Sequence, residues 1–276
     1  MFSGYLSVVS DSLDGMGSEK SKRDRDVYFA GLRARLDDEF RLLRAAIAGA
    51  DPWAVVPACP DWNADQLAHH VAGTYLYVAE CVRQGKLPEE GSRPGLNPNP
   101  IGALDEGYQA LTGALDAVRP GDPAGTWHEP DQTAGFWIRR MCLESVVHRV
   151  DAEQVAGIEL APIPPDVALD GIDEFLALFI GYLSRTWREH FAEVLENADP
   201  GPVTIAAGGR EWTLTAKPEG VEVAELGAAE GVARISGDPD DVLLWLWGRA
   251  DDRAVRLKGE EAALAQFRAL QGKATR

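Results

Sequence analysis

From Val27 to about Ala50, the run VYFAGLRARLDDEFRLLRAAIAGA places apolar residues every three or four positions with charges between them, the spacing of a long amphipathic helix. Pro52, Pro57 and Pro60 interrupt the chain after it. In CPDWNADQLAHHVAGTYLYVAECVRQG the helical period resumes: Asn63 is placed to cap it, Gln66 completes a capping-box pattern, and Gly85 stops it after about Gln84. A loop rich in Pro, Gly and Asn (KLPEEGSRPGLNPNP) precedes a third periodic segment, IGALDEGYQALTGALDAVR. A fourth helix is predicted at about 135 to 156, ended by Gly157, and PPDVALDGIDEFLALFIGYLSRTWREHFAEVLENA reads as one further long helix.

After ENADPGP the period shortens. VTIAAGGREWTLTAKPEGVEVAEL alternates in short runs divided by Gly-Gly and Pro-Glu-Gly, as antiparallel strands do. ARISG adds a strand, DPDDVLLWLWGR a helix, AVRLKG a last strand and EEAALAQFRALQ a final helix. The two textures predict an α+β chain of two domains: a bundle of four to five helices over residues 27–199, then a small α/β domain over 200–276, with residues 1–26 as a mobile leader.

Composition narrows the function. Hydrophobic content of 45% and charged content of 26% are those of a globular protein. A net charge of −17 opposes a basic surface that would grip nucleic acid or anionic lipid. Cys59, Cys81 and Cys142 form neither a disulfide framework nor a C-x-x-C zinc motif, and nothing near them activates a thiolate. With no long apolar run, the expectation is a cytoplasmic monomer or homodimer, without a membrane or nucleic-acid partner, acting on a small molecule.

The fourth helix carries the candidate chemistry. Steps of four and three give Trp137, Met141, Glu144, His148, Asp151 and Val155, a stripe that should face the bundle interior although half of it is ionisable. Glu144 and His148, four apart, can converge on one point; they can equally pair only with each other. On the second helix, the line Leu67, His70, Thr74, Tyr77 and Cys81 brings another imidazole inward, while His69 is rotated about 100° away. Two imidazoles and a carboxylate suit catalytic zinc with a position left open, and also ferrous iron. Asp151 is placed to hold an imidazole N–H. Trp62, Tyr77 and Trp137 are candidates to wall the site or simply to fill core, whereas His128 and His190 fall outside both lines and are expected at the surface.

VPACPDWNADQLAHHVAG, RMCLESVVHRVDAE and LWLWGRADDRAVRLKGEEAALAQF together resemble the mycothiol-dependent maleylpyruvate isomerase family over about residues 27 to 272. Ala68-His69-His70-Val71-Ala72-Gly73 corresponds to the family's A-H-L-x-G run, and aligning on Gly73 makes His70 its metal histidine. The family's E-x-x-x-H-R-x-D-A-E pattern stands as Glu144, His148, Arg149, Asp151, Ala152 and Glu153. The resemblance implies zinc held by His70, Glu144 and His148, mycothiol as thiol cosubstrate, a DinB-like bundle and a sterol-carrier-like C-terminal domain. It also implies a catalytic arginine in the C-terminal domain, for which Arg249 in LWGR is the counterpart, with Arg253 as the alternative. Asp151 would assist catalysis from beside the ligands. Together these features imply a zinc-dependent enzyme that activates mycothiol for addition to a small electrophile, as an S-transferase or cis-trans isomerase. A non-haem iron enzyme and a non-catalytic, metal-stabilised binding protein are the alternatives.

Overall fold

The computed structural model describes residues 19–89, 95–196, 200–225 and 231–275. Two compact units divide the chain, Met1–Leu160 and Ala161–Arg276.

The first unit is built from α1 (Glu19–Gly49), a short antiparallel ribbon of β1 (Val55–Val56) and β2 (Cys59–Asn63), α2 (Ala64–Gln84), α3 (Pro100–Asp116) and α4 (Ala134–Ala156). Helix α1 already starts at Glu19, so Glu19 to Asp26 belong to it and not to a mobile leader; the rest of that expected leader, 1–18, lies outside the described residues. Its inward stripe is Leu32, Leu36, Phe40, Leu43 and Ile47, at the helical period. Phe40 stacks on Tyr108 of α3 at 3.7 Å between ring centroids and leans on Tyr75 of α2 at 6.3 Å, which ties three helices together.

Local signals set the helix ends. Gln66 N donates to Asn63 Oδ1 (2.8 Å) and Asn63 N to Gln66 Oε1 (3.0 Å), closing a capping box at the start of α2. Gly85 (φ 65°) and Gly157 (φ 66°) end α2 and α4 in the left-handed region, where a side chain would be strained. Helix α4 is buried on nearly every side from Ala134 to Glu153, which makes it the central rod of the bundle. The buried face of α2 is Leu67, Val71, Tyr75, Val78 and Val82, so the expected line through His70, Thr74 and Tyr77 runs along its flank, with Tyr77 exposed. At Ala72 α3 approaches α2 closely: a Cβ on Gly107 would stand 2.7 Å from Ala72 O. Gly107→Ala should therefore destabilise the protein by up to about 2 kcal/mol in urea unfolding, because overpacking of about 1–3 kcal/mol is offset by a gain of about 1 kcal/mol in helix propensity.

The second unit begins with α5 (Pro165–Glu174), which passes through a π-helical stretch, Phe175–Tyr182, into α6 (Leu183–Thr186) and, after a break, α7 (Arg188–Leu195). The single long helix expected over this segment is interrupted at Trp187, whose φ −110°, ψ 51° is not helical. A five-stranded mixed sheet comes next, in the order β5 (Gly220–Glu225), β4 (Arg210–Lys217), β3 (Val203–Ala207), β6 (Ala233–Gly237), β7 (Arg256–Gly259), with α8 (Pro239–Leu246) and α9 (Glu261–Ala274). Only the β3–β6 pair is parallel among these strands. The chain is α+β, as its pattern predicts.

The expected boundary near 199/200 moves to 160/161. Residues 161–196 belong with the sheet: Trp212 Nε1 on β4 donates to Asp173 Oδ1 on α5 (3.1 Å), and Ser184 Oγ accepts from Val221 N at the start of β5 (2.9 Å). A helix's own period shows that it buries a face but not which neighbour receives it.

Candidate metal centre

Helices α2 and α4 bring His70, Glu144 and His148 together. Among the described residues these three form a group in which one nitrogen or oxygen from each lies within 4.8 Å of the others. Both imidazoles address the same carboxylate oxygen: His148 Nε2 is 3.1 Å from Glu144 Oε1 and His70 Nε2 is 3.4 Å from it. The one-turn step from Glu144 to His148 on α4 produces the first approach, and the inward flank of α2 the second.

The outer atoms of His148 and Glu144 are occupied as well. His148 Nδ1 lies 2.9 Å from Asp151 Oδ2, and Asp151 is fully buried. This carboxylate orients the ring and leaves Nε2 as the atom that faces the site. Glu144 Oε2 accepts from Arg140 Nη2. Burial alone would raise the Glu144 carboxyl, but the Arg140 guanidinium and then His148 hold it well below the usual carboxylate range. Burial would likewise lower His148, yet Glu144 and Asp151 together hold its imidazole up at about 9.

Access differs among the three. The His70 side chain is 36% exposed, against 9% for His148 and 11% for Glu144, so the group is open on the α2 side. Trp62, placed by β2 just before the α2 cap, sets its ring 4.5 Å from that of His70 and 6.3 Å from that of His148. Of the three aromatic candidates it alone stands against the group's rings. Trp137 is core, with Nε1 donating to Gly125 O (2.8 Å), and Tyr77 meets Trp137 edge-on at 6.3 Å.

His69 faces elsewhere. Its Nδ1 is 2.8 Å from Asp65 O and its Nε2 3.0 Å from Asn97 O, so it ties α2 to the loop before α3. Burial works against charge on this ring, but the two carbonyls hold its pKa above the ordinary value. His128 is half-buried and stacked on Phe136 at 5.7 Å, not at the surface as expected, whereas His190 is exposed. Cys59, Cys81 and Cys142 carry no disulfide, and burial pushes the Cys81 thiol up to about 11, which disfavours a nucleophile.

Arg249 belongs to the second unit, just past α8, where its Nη1 donates to Trp247 O (2.6 Å), a helix-end contact. Arg253 is almost fully exposed beside Asp251. The residue missed by sequence reasoning is Arg140. Its position one turn before Glu144, a cation on an otherwise inward helix, was the available signal.

The Glu144–Glu153 motif divides by face. Glu144, His148 and Asp151 turn to the group; Arg149 turns to the opposite side, where Nε donates to Glu39 Oε2 of α1 (2.7 Å) and Nη1 to Glu153 Oε2 (2.7 Å). That half of the motif joins helices.

Two nitrogens and one oxygen, two of the three ligands held from behind and the third beside the tilted Trp62 ring, open on one side, fit a divalent ion of the zinc type. Among the described residues no helix is long and apolar enough to cross a membrane.

Comparison with known proteins gives matches in both units. No curated protein matches the chain. Among solved structures, the sterol carrier protein domain 2 of Helicoverpa armigera is 13% identical, covering 42% of this chain and 95% of that one at a TM-score of 0.31. A UbiJ-SCP2 ubiquinone synthesis protein is 18% identical, covering 42% of this chain and 96% of that one at a TM-score of 0.26. The mycothiol maleylpyruvate isomerase N-terminal domain matches residues 33–153, and the MDMPI C-terminal domain matches residues 166–266. With its helical unit and its sheet unit each matched in chain order, this protein belongs to the mycothiol maleylpyruvate isomerase family.

Proposed function

We propose that this protein is a zinc-dependent enzyme that activates mycothiol for addition to a small electrophile, as a cis-trans isomerase or a thiol S-transferase. The observation that carries the reading is the convergence of His70 Nε2 and His148 Nε2 on Glu144 Oε1, with Asp151 and Arg140 behind two of the three ligands. The family's name supplies the thiol and the isomerase alternative.

When bound, zinc supplies the positive charge that keeps a coordinated thiol in its nucleophilic thiolate form at neutral pH. Asp151 holds the Nδ1 proton of His148 and so aims Nε2 at the group; the imidazolium that its neighbours favour would give up its Nε2 proton on binding a metal, and Arg140 keeps Glu144 ionised. Trp62 stands beside both imidazoles, and the partly exposed His70 marks the side of entry. In an isomerase the sulfur adds to one carbon of a cis double bond, the resulting single bond rotates, and elimination returns the thiol and the trans product. In a transferase the sulfur–carbon bond is kept. Arg249 has a helix-end contact and remains a candidate for the C-terminal unit's contribution only through the family resemblance.

Calorimetric titration with mycothiol of the zinc-loaded wild type and of Glu144→Ala tests this reading. Binding by the wild type and its loss in the variant are expected; equal binding by both would mean that the thiol is not delivered to this group. A stable protein that binds zinc but shows no thiol-dependent turnover would favour the metal-stabilised binding protein, and oxygen uptake with ferrous iron would favour an iron enzyme.

A further inference from the structure

We propose that Arg140 is a positioning residue that restricts Glu144 to one ligand oxygen and so keeps coordination positions open for the reactants. The inference rests on the metal reading above and extends it to a residue outside the three ligands.

A carboxylate can hold a metal through one oxygen or both, and the second mode takes up an extra position. In this protein the two oxygens of Glu144 have different partners: Oε1 faces His148 Nε2 at 3.1 Å and His70 Nε2 at 3.4 Å, while Oε2 accepts from Arg140 Nη2. A charge-assisted bond to a planar guanidinium is strong and directional, so Oε2 is withheld from the side on which the imidazoles converge. Arg140 and Glu144 are a turn apart on the rigid, buried α4, at 7% and 8% exposure, where water competes little for the pair.

Electrostatics makes the placement informative. A buried cation beside a site for a second cation weakens that site by repulsion, so a guanidinium there opposes tight metal binding. For a group whose purpose was affinity alone, an apolar residue or a neutral donor at position 140 would serve better. For one that must keep a ligand vacancy and a strongly electrophilic ion, a cation on the outer oxygen supplies both: it fixes the binding mode and withdraws charge from the ligating oxygen.

The test is the visible absorption of the cobalt-substituted protein, since four-coordinate cobalt absorbs much more strongly than five- or six-coordinate cobalt. Wild type, R140M and R140K are each loaded with one equivalent of cobalt(II), with folding checked by circular dichroism. Wild type should give the strong band of low coordination. R140M should bind cobalt but lose several-fold in intensity as Oε2 joins the ion, and R140K, which can still donate to Oε2, should retain most of the wild-type band. An R140M spectrum identical to wild type overturns the assignment. A crystal structure of the cobalt-loaded wild type with both oxygens of Glu144 on the ion also overturns it, and decides the matter even if R140M does not fold. Failure of the wild type to take up cobalt would instead remove the metal reading, and this inference with it.

Discussion

Replacing Arg149 by methionine should cost the folded state about 3–5 kcal/mol, a larger loss than any other single change considered. The guanidinium is fully buried and makes two 2.7 Å bonds, to Glu39 on α1 and to Glu153 on its own helix. Both carboxylates are themselves almost wholly buried, with side-chain exposures of 1% and 3%. Methionine fits the volume but leaves two like charges out of water without their cation, and desolvated charge without a partner is the costly case. Arg35 Nη1, 3.8 Å from Glu39 Oε1 but itself partly exposed, offsets only part of the loss at Glu39. Urea unfolding of R149M should show a lowered midpoint. The triple replacement of Glu39, Arg149 and Glu153 by apolar residues of similar size should recover most of the loss, because removing the whole ionic group also removes its desolvation cost. A loss below about 1 kcal/mol in R149M would show that water reaches the pair.

The second large effect concerns the proposed metal. Asp151→Asn leaves the three ligands in place but weakens the carboxylate behind His148, and should reduce zinc affinity about 10–100-fold, the usual effect of losing such an orienting partner. Glu144→Ala removes the oxygen on which both imidazoles converge and should exceed that range, so that zinc is no longer held against a competing chelator. Competition titration with a chelating dye gives both affinities. Thermal unfolding gives an independent readout: ligand at 100 times its dissociation constant stabilises the native state by about 2.7 kcal/mol, so excess zinc should raise the wild-type midpoint and leave Glu144→Ala unmoved. Equal midpoint shifts in both proteins would place the ion elsewhere.

Much of this arrangement was legible in the sequence where the cause is local. The Asn63–Gln66 capping box and the glycines at 85 and 157 fix helix ends through contacts a few residues apart, and the structure has them where the pattern puts them. The strands and helices after residue 200 were legible for the same reason: turn residues divide runs of clear period. The juxtaposition of Glu144 with His148 comes from helix geometry alone.

What was not legible depends on partners distant in sequence. His70 converges on Glu144, yet it does so from the flank of α2, whose buried face runs through Leu67, Val71, Tyr75, Val78 and Val82, a face set by the helices packed on it and not by the helix's own period. The segment after residue 160 has an apolar period that says nothing of whether a bundle or a sheet receives it, and the break at Trp187 falls within a run that reads as continuous helix. Glu19 to Asp26 extend α1 with no apolar stripe to announce it. That the motif's Arg149 and Glu153 join α4 to α1, and do not face the group, shows only in their direction towards Glu39.

Elemental analysis of protein purified without added metal, wild type beside His70→Ala and Glu144→Ala, tests the metal centre most directly. About one zinc ion per wild-type chain is expected, with none retained by either variant after dialysis. A wild type without metal, or variants that keep it, would contradict the assignment of His70, Glu144 and His148 as ligands.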